Sequence, residues 1–109
     1  MSIYGNNLMK ADISISTSGD NTIIAAPTSG YIAIDHINFI PTSAVTVQLK
    51  DGSTSYGGAY PLDGKQAVVL ENSIQNEHGL IKLSDASAFV MNLSGAVQVS
   101  GFVLYRIVI

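Results

Sequence analysis

Apolar and polar residues alternate along several short stretches of this chain. Ile13 and Ile15 stand among Asp12, Ser14 and Ser16, and Val45, Val47 and Leu49 stand among Thr46, Gln48 and Lys50. Ile81 and Leu83 flank Lys82, and Val97 and Val99 flank Gln98. A period of two puts alternate side chains on opposite faces of a strand, so each stretch predicts a strand with one face on a core and the other on water. Turn-forming groups separate the stretches: Ser18-Gly19-Asp20-Asn21, Thr28-Ser29-Gly30, Lys50-Asp51-Gly52-Ser53, Leu62-Asp63-Gly64-Lys65 and Leu93-Ser94-Gly95-Ala96. Glycine beside Asp, Asn or Ser accepts positive φ or caps a turn, and the Asp-Gly pairs at 51 and 63 are the strongest of these signals. The pattern predicts about eight strands, over residues 9–18, 22–26, 30–40, 44–50, 66–71, 80–84, 88–93 and 96–109. No window shows a convincing helical period. Residues 63–76 come nearest, but Val68-Val69-Leu70 reads better as a buried strand. Short strands with frequent turns predict an all-β fold, an antiparallel β-sandwich of jelly-roll type.

Two stretches break the simple alternation. In residues 31–40 the apolar phase changes: Ile32 and Ile34 are even, Ile37 and Phe39 odd. One extra residue near Asp35-His36 restores the register, which is what a β-bulge does. A long strand bent in this way can serve both sheets of a sandwich. The last stretch, residues 101–109, is apolar on both faces. Either it lies centrally with both faces covered, or its second face packs on another subunit. An apolar end at Ile109 is unfavourable in water, which favours contact with something.

Composition narrows the field. A chain of 109 residues makes one domain, with residues 1–8 as an arm and residues 9–109 as a single sandwich. There are no cysteines, so disulfides and thiolate–metal sites are excluded, and a reducing cytoplasm is the expected place of synthesis. Only 12% of residues are charged and the net charge is −3, so uncharged polar and some apolar groups must cover the surface. Exposed apolar surface usually meets a partner. Lys10, Lys50, Lys65, Lys82 and Arg106 are scattered rather than clustered, which argues against nucleic acid. The first residues have neither a basic segment nor an apolar run, and no stretch reaches the length of a membrane helix. No nucleic-acid or membrane partner is expected.

Chemistry is hard to find. No nucleophile elbow, P-loop or dinucleotide glycine pattern occurs, and Tyr56-Gly57-Gly58-Ala59 lies between turns rather than before a helix. Asp35 and His36 are neighbours that point to opposite faces of a regular strand, so they read as a polar pair at a bulge rather than as base and orienter. Glu77-His78-Gly79 reads as a solvated turn, and the histidines and acids lack metal-ligand spacing. No catalytic residue, metal or cofactor is expected. Tyr56 and Tyr60, on the loop of residues 53–62, form a possible recognition surface or else cover one end of the core. Ile3, Tyr4 and Leu8 in the arm, with Phe102, Leu104, Tyr105, Ile107 and Ile109 in the last strand, are the expected partner or oligomer contacts.

Four runs carry a resemblance: Gly30-Tyr31-Ile32-Ala33-Ile34-Asp35-His36-Ile37; Val45-Thr46-Val47-Gln48-Leu49-Lys50-Asp51-Gly52; Gly79-Leu80-Ile81-Lys82-Leu83; and Val97-Gln98-Val99-Ser100-Gly101-Phe102-Val103-Leu104-Tyr105. Together they resemble the small β-sandwich decoration, or cement, proteins of tailed-bacteriophage capsids. The likeness covers most of the chain and is one of rhythm and composition, not of a signature motif. It implies a jelly roll or related sandwich, made in the host cytoplasm and placed on the capsid exterior of the virion. It further implies copies arranged as dimers or trimers, bridging subunits of the major capsid protein, with terminal arms clamping neighbours. Another virion part (tail, spike or head fibre) shares every one of these features. A carbohydrate-binding sandwich that stacks sugars on Tyr31, Tyr56 and Tyr60 is the remaining alternative.

Overall fold

The computed structural model describes residues 8–71 and 79–109. Among them are ten strands and no α-helix: β1 Met9–Ile15, β2 Gly19–Ile24, β3 Tyr31–Pro41, β4 Val45–Asp51, β5 Thr54–Ser55, β6 Tyr60–Leu62, β7 Val68–Glu71, β8 Ile81–Lys82, β9 Phe89–Leu93 and β10 Val99–Val108. The eight expected strands are all present with shifted ends: β2 begins at Gly19, inside the expected turn of residues 18–21, β3 and β4 each run one residue further, and the others are shorter. Two short strands, β5 and β6, fall inside what reads from sequence as one loop. β5 closes a tight hairpin on β4 around Gly52, whose φ is +61°, and β6 pairs Tyr60 with Val47 and Leu62 with Val45.

The strands form two antiparallel sheets packed together as a β-sandwich. Sheet I has the order β1-β10-β3-β7, with β8 also on β3; sheet II has the order β2-β9-β4-β5, with β6 also on β4. The pairings are nested. β4 pairs with β5 and β6, β3 with β7 and β8, β2 with β9, and β1 with β10. The chain therefore runs as one long hairpin whose successive segments fall alternately in sheet II and sheet I. Two further ladders, β3–β10 and β4–β9, join the strands within each sheet.

Period-two patterning explains where the core sits. Ile13 of β1, Val99 and Val103 of β10 and Ile32, Ile34, Ile37 and Phe39 of β3 face Val47 and Leu49 of β4 and Phe89, Met91 and Leu93 of β9. Burial of each large side chain stabilises the fold by about 1.5–3 kcal/mol. The bulge lies where the phase change predicts it. Leu104 opposes His36, the next residue Tyr105 opposes Ile34, and Asp35 is left as the extra residue of β3. That single insertion lets Ile32 and Ile34 on one side and Ile37 and Phe39 on the other all point inward.

Strand β10 runs between β1 and β3, so it is central within sheet I; its inner face lies on the core, and its outer face, with Phe102 and Leu104, stays half-buried. Glycine permits its close approach at two points. A Cβ on Gly101 runs into the Asn38 carbonyl of β3, and one on Gly30 (φ +78°) runs into the Val108 carbonyl. At the far end of β4, Asp51 Oδ2 accepts from the Ser84 amide at 2.9 Å and the Ser84 hydroxyl at 2.7 Å. These bonds tie sheet II to the segment that follows β8. Burial works to raise the Asp51 carboxyl, but hydrogen bonds from Ser87 and Ser84 outweigh it and hold the group below its ordinary value.

Candidate contact face

The two outer faces of the sandwich differ in kind. On sheet II the outward positions include Asp20, Thr22, Thr46, Gln48, Lys50, Asn92 and Ser94. These groups bond to one another. Lys50 Nζ donates to both Asp20 carboxylate oxygens at 3.1 and 3.0 Å, and Asn92 Nδ2 donates to Asp20 Oδ1 at 2.7 Å. The bond from Asn92, then that from Lys50, lowers the Asp20 pKa. The Thr46 amide donates to Ser94 Oγ at 2.9 Å, and Gln48 Nε2 to the Leu49 carbonyl at 2.8 Å. Such a face is at rest in water.

Sheet I presents an apolar patch instead, bordered on the same side by Lys10, Asp12 and Ser14 of β1, Ser100 of β10 and Glu71 of β7. Its register puts Ile40, Asn38 and His36 of β3, Phe102 and Leu104 of β10 and Val69 of β7 on the outer side. Val69 is 61% exposed and Ile40 40%. The other exposed large apolar residues among those described lie off this patch: Leu8 and Ile109 stand beyond the ends of β1 and β10, and Met9 opposes the inward Tyr105. Phe102 stacks on the His36 imidazole, with centroids 5.3 Å apart and planes at 26°. Asn38 Nδ2 donates to His36 Nε2 at 2.9 Å, and His36 Nδ1 lies 3.5 Å from Glu71 Oε1. The imidazole is thereby fixed as one wall of a groove of about 430 Å³, whose other walls include Ile40, Ala67, Val69 and Phe102.

The bulge turns both Asp35 and His36 to this outer side, unlike a regular strand. They engage different partners. Asp35 takes Arg106 Nε on Oδ2 at 2.8 Å and Arg106 Nη2 on Oδ1 at 2.9 Å, while His36 faces Asn38 and Glu71. Among the described residues, no group of three or more His, Asp or Glu side chains gathers to hold a metal ion.

The expected contact residues separate into groups. Phe102 and Leu104 are outward and half-buried. Tyr105 and Ile107 oppose Ile34 and Ile32 and pack inward against the core. Ile109 is 95% exposed just beyond β10, and Leu8 is exposed just before β1. Ile3 and Tyr4 lie outside the described residues, as do Glu77 and His78. Tyr56 and Tyr60 are half-buried against the core, and Tyr60 meets Phe39 edge-on at 6.2 Å. Tyr31 lies beneath Lys82 Nζ, 4.8 Å from the ring centroid.

The groove residues Ile40, Ala67 and Val69 were not legible as contacts in the sequence. The available signal was parity: once the bulge is placed, odd positions of β3 after it face inward, so Ile40 must face out. Val69 sits between Val68 and Leu70, and in a run apolar at every position one residue has to point away from the core. No family model, curated protein or solved structure matches this chain.

Proposed function

We propose that this chain is a non-enzymatic structural protein that works by contact, a decoration protein of a bacteriophage capsid, and that the outer face of sheet I is its contact face. The observation that carries this reading is the difference between the two faces. Polar groups on sheet II satisfy one another, whereas sheet I leaves Ile40 and Val69 exposed beside the half-buried Phe102–His36 stack. Apolar surface left open on one face of a small domain is the mark of a docking surface. The nested pairing of β4 to β6, β3 to β7, β2 to β9 and β1 to β10 supports a jelly roll, an architecture recurrent in viral capsids and lectins. The half-burial of Tyr56 and Tyr60 against the core favours contact through the sheet over sugar stacking on that loop.

Many modest contacts repeated over a symmetric shell give strong attachment without any single tight site. The test is co-sedimentation of the purified chain with a panel of expanded phage heads stripped of their decoration. Saturable binding, together with retention of packaged DNA on heating, is expected for a matching head. Failure to bind any head, with no change in DNA retention, contradicts the capsid assignment.

A further inference from the structure

Resting on the reading of sheet I as the contact face, we infer that the shell protein docks there in part by strand addition, with an extended segment of it lying along the open edge of β7. Backbone direction is the first ground. The Pro41 carbonyl accepts from the Lys65 amide, and on the opposite side of β3 the Thr42 amide donates to the Gln98 carbonyl. Backbone groups of successive residues point to opposite sides of a strand, so Phe39 and Ile37 share the direction of Pro41, towards β7. They oppose Val68 and Leu70, which are thereby the bonded residues of β7. Val69 and Glu71 turn their amides and carbonyls the other way, and among the described residues no strand pairs with β7 on that side.

The other edge strands are the second ground. β1 carries the exposed Lys10–Asp12 pair at 3.2 Å, and β2 loses register between Thr22 and Ile24. β5 and β8 have two residues each, and β6 has three, with Pro61 at its centre. Charge, misregister, brevity and proline each deter strand addition. β7 has four residues, apolar at the first three, with no lysine, proline or register shift, and its Val69 is 61% exposed.

Side chains define the occupant. In a strand added beside β7, the residues next to Val69 and Glu71 are two apart and share the outer face of sheet I. The first meets Val69 and Ala67 at the rim of the groove, which calls for an apolar side chain. The second meets Glu71, whose side chain is 73% exposed, and charge complementarity calls there for a lysine or arginine. The partner is thus an extended shell segment that carries an apolar and a basic residue two positions apart. β7 is short, so attachment at each site is weak, and repetition over the shell gives it strength.

The experiment is co-sedimentation with a head that binds the unaltered chain. It compares Val69→Pro, which removes the outward amide hydrogen, with Val69→Thr, which keeps it. Proline is tolerated on an edge strand where the amide faces solvent, and a thermal melt of each variant verifies the fold. Val69→Pro should weaken binding at least about tenfold, and Val69→Thr less than about threefold. Glu71→Lys should also weaken it at least about tenfold. Amide hydrogen exchange gives a reading that needs no variant: the Val69 amide should exchange at least about tenfold more slowly in head-bound than in free protein. Equal effects of folded Val69→Pro and Val69→Thr, or a Val69 amide equally fast in both states, overturn strand addition. The contact face then stands if Ile40→Lys still loses binding. Undiminished binding by Glu71→Lys overturns the basic partner residue. A chain that binds no head removes the capsid reading and this inference together.

Discussion

Arg106 and Asp35 meet through two parallel bonds on the outer side of sheet I, at the one point where the β3–β10 ladder slips. The Arg106 side chain is 4% exposed and that of Asp35 23%. The bulge makes the pair possible. Without the extra residue, Asp35 falls on the core face and the arginine is left without this carboxylate. A buried guanidinium needs its partner more than the fold needs the pair. Asp35→Leu, which takes the carboxylate from that guanidinium, is therefore expected to cost about 3 kcal/mol, a fall in melting temperature of roughly 15 °C for a domain of this size. The double variant Arg106→Leu/Asp35→Leu should lose much less than the sum of the two single changes, because no charge is stranded. Thermal melts of the three variants decide it; additive losses contradict a coupled pair.

Gly101 is the second point of dependence in β10. Its Cα approaches the β3 backbone so closely that a methyl group meets the Asn38 carbonyl. Gly101→Ala should destabilise by about 2–3 kcal/mol, as expected of overpacking against rigid backbone. Gly95 has nothing within 4 Å of an added Cβ, so Gly95→Ala should be near neutral. Denaturant midpoints of the two variants provide the comparison.

The inward direction of Ile107 separates folding from association. It opposes Ile32 and packs on the core, so Ile107→Asp should lower stability by about 2–3 kcal/mol through burial of an unpaired carboxylate. The sequence alone placed Ile107 among the partner contacts, since a strand apolar at every position does not reveal which half faces in. A variant that keeps its melting temperature but loses self-association would return Ile107 to the outer face.

Acid should weaken the fold through Asp51 and Asp20. Both carboxyls are held below their ordinary value of 3.8, Asp20 by bonds from Asn92 and Lys50 and Asp51 by bonds from Ser87 and Ser84 that outweigh burial. A carboxyl with a lowered folded pKa takes up its proton less readily in the folded state than in the unfolded state. Its contribution is complete above the unfolded value and is lost as pH falls through the folded one. Melting temperatures should thus be insensitive to these groups above about pH 5 and should drop below about pH 4. Asp51→Asn should cost about 1–2 kcal/mol at neutral pH and make the acid drop shallower. An unchanged acid limb would remove Asp51 from the account.

Much of this fold can be read from the chain. Alternation at Val45, Val47 and Leu49 marks strand β4 and its inner face, Asp51-Gly52 marks the turn that follows, and the phase change between Ile34 and Ile37 marks the bulge at Asp35. The hairpin partners β5 and β6 escaped notice because residues 53–62 show no alternation; their pairing is imposed by β4. The contact face was half legible. Phe102 and Leu104 stand out as surplus apolar residues, but which strands flank them depends on a ladder between residues far apart in the chain. Only that ladder brings Val69 and Ile40 beside Phe102 and sets His36 to stack on it, while the bulge brings Asp35 to the same side.

The central claim is that the outer face of sheet I is covered in the working protein and that of sheet II is free. The chain has no cysteine, so one can be introduced at Val69 on sheet I and, in a separate variant, at Thr22 on sheet II. The most direct measurement is the alkylation rate of each thiol in the free protein and in protein bound to heads. Val69→Cys should react more slowly in the bound protein, while Thr22→Cys reacts at one rate in both. Protection of Thr22→Cys with Val69→Cys left open, or equal rates at both positions in both states, would contradict the account.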